Sequence, residues 1–487
     1  MPSPLSELRK IRLDKLKKLQ DQNIEGYPSS SNRSHTIKSA LKSLGKEVTI
    51  VGRLLSLRSH GKIIFGDLTD SSGQIQILFK SDGLDKTVFE NISLLDIGDF
   101  LEVTGKVFVT NAGQTTVDVK KFRLLAKSLL PIPSEYYGLA DIETRLRKRY
   151  LDILINPEVK DIFIKKNKFW SSMRQFLVND EFLEVEMPIL ENIPGGAEAE
   201  PFVTHHNALD RDFYLRISLE LPLKKMLVAG YEKVFEIGRI FRNEGIDAEH
   251  LQDYTQMEFY WAYGEFDKLM DFTEKMYQFV IKETFGTLKF ERDGQVIDWS
   301  RTWPKLEYLD LFKKYTNIDL LTVSDEALFN YAKANKIAYE KSAGRGRIID
   351  LIFKKKIRIL PEVSLQPAFL INPPVEIEPL AKKNFNNPKT VQRMQILAFG
   401  SELGKGFGEL NDPIDQRERF ENQMKLRENG DNEAQMIDED YIEAMEYGMP
   451  PSAGFGVSER LFSVLMGLPI RETVIFPLMK EGKNENE

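Results

Sequence analysis

Short alternating runs of apolar and polar residues dominate the chain between Val48 and Leu125. The runs VTIVGRLLSL, KIIFGDLTD, GQIQILFK, DFLEVTGKVFV and QTTVDVKKFRLL are parted by Gly and Asp at hairpin-like intervals, which predicts five strands. Five strands in so short a span suit a small barrel of the oligonucleotide-binding type, and strand count leaves an unrelated barrel or sandwich open. Ahead of them, Leu8, Ile11 and Leu16 recur near helical spacing in a predicted helix from Leu5 to Gln22. Gly26, Pro28 and a Ser/Asn run through Ser34 then read as a linker.

From Thr144 the rhythm changes. Phe169, Met173, Phe176 and Leu177 form one face of a helix ahead of FLEVEMPIL. KVFEIGRIFRNEG and QMEFYWAY read as long strands, and about Lys305 to Ile357 reads as helical. The segment SAGFGVSERLFSVLMG reads as strand, Gly-rich turn and helix, and KEGKNENE as a disordered tail. No internal repeat is visible.

Composition narrows the class. With 487 residues, 42% of them apolar, the chain holds two or three domains. It has no cysteine, so disulfides and thiolate metal sites are excluded. MPSPLSELRK lacks the apolar core of a signal peptide, and no apolar run is long enough for a bilayer. A soluble, cytoplasmic protein with no membrane partner is expected. The net charge of −7 argues against a nucleic-acid partner, but Met1 to Lys46 carries ten Lys or Arg against four Asp or Glu. That stretch reads as a solvated helix or as a phosphate-binding arm on an acidic body.

Candidate chemistry is sparse. There is no GxxxxGK[ST] and no HExxH, and the GxGxG at Gly404 to Gly408 reads best as a flexible turn. His205 and His206 are adjacent, so on a strand they point to opposite faces. Three segments remain. Arg242 in FRNE, near Glu258 and Tyr260, offers a bidentate fork for phosphate or carboxylate, or a structural ion pair. Glu402 and Glu409 in SELGKGFGELNDP offer two carboxylates for Mg²⁺ or a cationic substrate, or plain surface acids. Arg460 after GFGVSE falls in the first turn of a helix and is a candidate phosphate anchor.

Taken together these segments are specific. IPGGAEAEPFVTHHNALDRDFYLRISLELPLKKMLVAGYEKVFEIGRIFRNEGID, GFGELNDPIDQRERF, GDNEAQMIDEDYIEAMEYGMPPSAG and RETVIFPLMK resemble the bacterial and eukaryotic class II lysyl-tRNA synthetases. IPSEYYGLADIETRLRKRYLDILIN is similar to that family's hinge. The resemblance runs in order from about Gly52 to Lys480. It implies an α+β multidomain fold, with an N-terminal OB-fold barrel and a class II catalytic domain on an antiparallel sheet flanked by helices. The expected boundaries are 1–46 for a basic helical extension and linker, 47–130 for the anticodon-binding OB-fold, 131–150 for the hinge, 151–480 for the catalytic domain and 481–487 for the tail.

The resemblance also implies an activity: lysine is activated with ATP and Mg²⁺ to an adenylate, then esterified to tRNA(Lys) by a homodimer joined through the region ending at Pro188. By this likeness Arg242 bridges the α-phosphate and the lysine carboxylate, and Arg460 holds the γ-phosphate. Glu244, His250 and Glu402 contact ATP, and Tyr254 stacks on adenine. Glu402 and Glu409 bind metal. Gly196 and Glu258 meet the α-amino group, Glu220, Tyr260 and Glu409 surround the ε-amine, and Lys405 and Phe407 complete the lysine site. In the barrel Phe65 stacks on an anticodon base, with Arg58 and Gln76 as base-edge readers.

The chemistry agrees with the likeness. The lysine carboxylate is itself the nucleophile, so alignment and charge neutralisation suffice and no Ser/His/Asp arrangement is needed. A buried ammonium needs carboxylates to offset desolvation. An aspartate or asparagine substrate would call for a cationic pocket, against Glu220 and Glu409. A ligase that lysylates protein typically lacks the barrel. A non-catalytic RNA-binding relative would have lost Arg242 or Arg460. Four departures stand out: HLQDY at His250 to Tyr254, Lys405 for a usual asparagine, a third motif one residue short before Arg460, and Gln114 for a frequent glutamate.

Overall fold

The computed structural model describes residues 4–133, 141–245, 250–340, 343–431 and 434–480. The tail expected at 481–487 and part of the expected hinge, 134–140, lie outside them. The chain divides into two compact units, Met1–Ala140 and Asp141–Glu487.

In the first unit all five predicted strands form. They are β1 (Glu47–His60), β2 (Ile63–Asp70), β3 (Gly73–Lys80), β4 (Phe100–Val109) and β5 (Thr115–Ala126), closed in the order β1-β2-β3-β5-β4. Closure leaves no sheet edge, and alternate residues such as Ile50, Leu68, Ile77, Val103 and Val117 fill the interior. Helix α1 (Pro4–Gln20) is not a free arm. It buries Arg12, Leu16 and Leu19, Arg12 donates to the Ser128 carbonyl at 2.7 Å, and Lys15 pairs with Asp96 at 2.7 Å. The linker is tied down too, since Asn32 N–H donates to Glu102 at 2.5 Å and Tyr27 Oη to the Lys127 carbonyl at 3.0 Å. Charge count alone missed this, because the amphipathic stripe of α1 docks on its own domain.

The second unit is built on eight strands: β6 (Leu183–Glu184), β7 (Lys233–Phe241), β8 (Asp253–Ala262), β9 (Lys305–Glu307), β10 (Ala368–Ile371), β11 (Arg393–Ala398), β12 (Ser401–Gly408) and β13 (Ser452–Ser458). Their spatial order is β9-β10-β11-β12-β13-β8-β7-β6, antiparallel except for the outer pairs β9/β10 and β6/β7. One face packs against α2 (Pro157–Asn179) and α4 (Phe266–Phe285) in an aromatic core that includes Phe169, Phe235, Phe259, Tyr277, Trp299 and Phe455; between these two helices in the chain lies α3 (Glu220–Val228). The predicted helical stretch from Lys305 begins with strand β9 and then runs as separate helices.

The GxGxG stretch is strand β12, not a flexible turn. A Cβ at Gly404 would collide with the Tyr277 hydroxyl and the Phe455 ring, so these glycines permit close packing. The same strand carries a bulge opposite Ile396 and Leu397. A bulge shifts the two-residue alternation by one. This shift lets Glu402 line the same cavity as Lys405 and Phe407 despite its odd spacing from both.

Candidate active site

The open face of the second sheet borders a cavity of about 760 Å³. Strands β7 and β8 form a long antiparallel hairpin, and Arg242 lies just past the end of β7. Its Nε donates to the Ile217 carbonyl at 3.3 Å, and its guanidinium lies 5.8 Å from the centre of the Tyr254 ring. Glu244, His250 and Tyr254 line the same cavity, as does Arg460 at the start of helix α5 (Arg460–Met466). The shortened third motif therefore still delivers its arginine there. Its neighbour Glu459 is fully buried and ion-paired with Lys166, which anchors the turn.

The floor is acidic and buried. Glu258 on β8 is 3% exposed and takes four hydrogen bonds: Ser218 Oγ at 2.7 Å, Leu219 N–H at 3.1 Å, Gln256 at 2.5 Å and the Tyr260 hydroxyl at 2.8 Å. Gly196 borders it with φ +84°, a region favourable only to glycine, and a Cβ there would meet Ser218 and Glu220.

Beside them Lys224 is fully buried between Glu220 and Glu409, with its Nζ 2.5 Å from each. Burial pushes Glu220 up to about 7 and Glu409 to about 8, and Lys224 offsets only part of this. The same two acids hold Lys224 charged, well above the usual lysine range. Among the described residues the ammonium of Lys224 is the cation that meets Glu409. A Cβ at Gly454 would strike Glu409 Oε1 and the Tyr260 ring, so that oxygen lies against the sheet's glycine strand. The arrangement suits a second ammonium, because two carboxylates share a single resident cation.

Lys224 escaped the sequence reading. The signal available was its spacing of four from Glu220 on one helix. Ser218, Gln256, Glu378 and Arg358 were also missed, and for these no local signal exists, since tertiary packing assembles them.

Lys405, Glu402 and Glu409 are each paired within the chain. Lys405 is held by Glu378 at 3.1 Å, so its charge is engaged by the protein itself. Glu402 and Glu409 do not fit a shared metal site. Glu402 is paired with Arg358 at 3.1 Å, Glu409 with Lys224, and the described residues contain no cluster of three His, Cys, Asp or Glu able to hold a metal ion.

On the barrel, Phe65 is half-buried, stands outside the barrel core and meets His60 edge-on at 6.4 Å. Arg58 lies opposite it in register and pairs with Asp67 at 3.1 Å. Gln76 is 8% exposed and accepts from Thr116 at 2.9 Å, so its amide oxygen is already satisfied inside the barrel. Asp67, which also takes the Ser56 hydroxyl, is the anchor that sequence reading missed.

A glycine-lined antiparallel sheet that gathers two arginines over buried carboxylates is a class II synthetase arrangement, and the chain belongs to the tRNA synthetases class II (D, K and N), matched over residues 141–480. Residues 48–125 match the OB-fold nucleic acid binding domain. Among its relatives, the lysine–tRNA ligase of Moorella thermoacetica is 44% identical over 483 residues, covering 98% of each chain. That of Bacillus subtilis is 42% identical over 491 residues, also covering 98% of each.

Proposed function

We propose that the chain activates lysine with ATP and transfers it to the 3′ end of tRNA(Lys). The observation that carries this reading is a cavity that gathers Arg242 and Arg460 with the buried acids Glu220 and Glu258, with Glu220 joined behind the cavity wall to Lys224 and Glu409 by 2.5 Å contacts. The ε-ammonium sits against Glu409 and Glu220 beneath Tyr260 and Phe407, and the α-amino group meets Glu258 beside Gly196. Arg242 then holds the carboxylate against the α-phosphate, Tyr254 and His250 receive the base, and Arg460 takes the γ-phosphate with Glu244 nearby. A carboxylate oxygen forms the new bond to the α-phosphorus, and pyrophosphate leaves with the broken bond's electron pair. A ribose hydroxyl of tRNA then attacks the acyl carbon and AMP departs. Alignment and cations supply the rate, with no protein nucleophile. Mg²⁺ would add charge neutralisation at the phosphates, while Glu402 and Glu409 face Arg358 and Lys224.

Phe65 and Arg58 on the barrel grip the anticodon loop, supported by the half-exposed ring and the Asp67-held guanidinium. Gln76 serves the same face only by its amide nitrogen. The working particle is a cytoplasmic homodimer. Val178 and Leu183, in the region ending at Pro188, and Ile189 and Leu190 just past it expose apolar surface that a second copy would cover, and light scattering reporting single chains would contradict this. No helix among the described residues is long and apolar enough to cross a membrane. The test is aminoacylation. Labelled lysine should become alkali-labile on tRNA(Lys), and no such ester with folded protein would overturn the proposal.

A further inference from the structure

Four carboxylates line the cavity around strands β11 and β12: Glu198, Asp350, Glu378 and Glu402. Each already faces a cation. Arg358 Nη1 lies 3.1 Å from Glu402, and Lys354 Nζ lies 2.8 Å from Asp350. Glu378 takes Lys405 at 3.1 Å and Arg393 at 3.6 Å. Arg347 Nη1 is 3.8 Å from Glu198. These groups form one electrostatic cluster, since Glu402 is acted on by Lys354, Arg358, Arg393 and Lys405 together. Gln395, opposite Lys405 in the strand register and lining the cavity, adds a neutral amide.

A divalent ion bound here by protein would find each carboxylate already paired with a cation. Mg²⁺ takes one or two carboxylates plus water and phosphate in a near-ideal octahedron. To reach Glu402 it would have to displace Arg358 and settle among three further cations. A triphosphate meets the reverse situation, because fixed guanidinium and ammonium groups suit its oxygens directly.

We propose that this nucleotide site is neutralised by protein cations in place of a protein-held divalent metal, with Arg358 standing on Glu402 where the ion would bind. ATP affinity is then independent of magnesium. The inference rests on the reading that this cavity takes ATP.

The test is calorimetric titration of ATP into the full chain, once in excess EDTA and once in excess magnesium chloride. The expected dissociation constants agree within about threefold, and a loss of more than about tenfold in EDTA overturns the inference while leaving the ATP reading intact. Absence of binding in both buffers removes the ATP reading and the inference with it. Arg358→Gln frees Glu402 as a ligand, so in that variant magnesium should strengthen ATP binding by about tenfold. A folded variant as indifferent to magnesium as the parent would refute the role given to Arg358. If circular dichroism shows it unfolded, the parent titration decides alone.

Discussion

Replacing Glu409 with Gln keeps volume and shape and removes one negative charge from the ammonium site. In the free protein the Glu409 carboxyl is raised by burial to about 8, so at pH 7 it is mostly protonated and Gln imitates that state. Lys224 keeps its contact with Glu220 at 2.5 Å. The cost to folding should therefore be small, below about 1 kcal/mol, far less than breaking an ionised buried pair. Lysine binding is different, because the arriving ammonium draws the carboxylate into its charged form. Truncating one partner of a buried charged pair costs about 2–5 kcal/mol. Ionising the group one pH unit below its value takes back about 1.4 kcal/mol. The remainder, about 0.6–3.6 kcal/mol, lowers kcat/KM for lysine roughly 3- to 400-fold at pH 7. At pH 9 the parent no longer bears the ionisation cost, so the deficit of the variant should grow by about tenfold. The assay is lysine-dependent ATP–pyrophosphate exchange at both pH values, with thermal unfolding alongside. A loss under about threefold at both pH values, or a fall of more than about 8 °C in Tm that tracks inactivation, would show Glu409 to be structural.

Arg242→Ala should abolish adenylate formation while light scattering shows the particle unchanged in size, and near-normal exchange by the variant would refute its role. Phe65→Ala should weaken tRNA charging by about 1–3 kcal/mol of lost stacking and spare pyrophosphate exchange, whereas equal loss of both would make the ring structural. The parent's KM for lysine should fall as pH rises from about 6 to about 8.5, by up to about tenfold per unit, because Glu220 and Glu409 ionise late. Those two raised carboxyls act oppositely on folding. Their contribution is most favourable below the ordinary carboxylate range and declines as pH climbs through about 8, so a flat KM profile with a flat Tm profile would contradict the assignment.

Much of the fold was legible because strands and turns are local. All five barrel strands and the β7–β8 hairpin were visible as alternation, and the face Phe169, Met173 and Leu177 as helical spacing. The docking of α1 was not, since Arg12 reaches a carbonyl 116 residues away. Glycine misled at β12, where it signals close packing against Tyr277 and Phe455 and not flexibility. The seven-residue gap between Glu402 and Glu409 suggested a joint site, and neither the bulge beside Glu402 nor the separate partners Arg358 and Lys224 could be read from it. Which acid meets which cation depends on contacts across the chain, such as Lys224 with Glu409, and no local pattern encodes these.

Everything in the functional account depends on the acidic pocket selecting a basic side chain. The direct measurement is ATP–pyrophosphate exchange by the purified chain with each amino acid supplied in turn. Exchange should appear with lysine and stay at background with aspartate, asparagine and the apolar amino acids. Exchange driven by aspartate or asparagine, with lysine inert, would contradict the account.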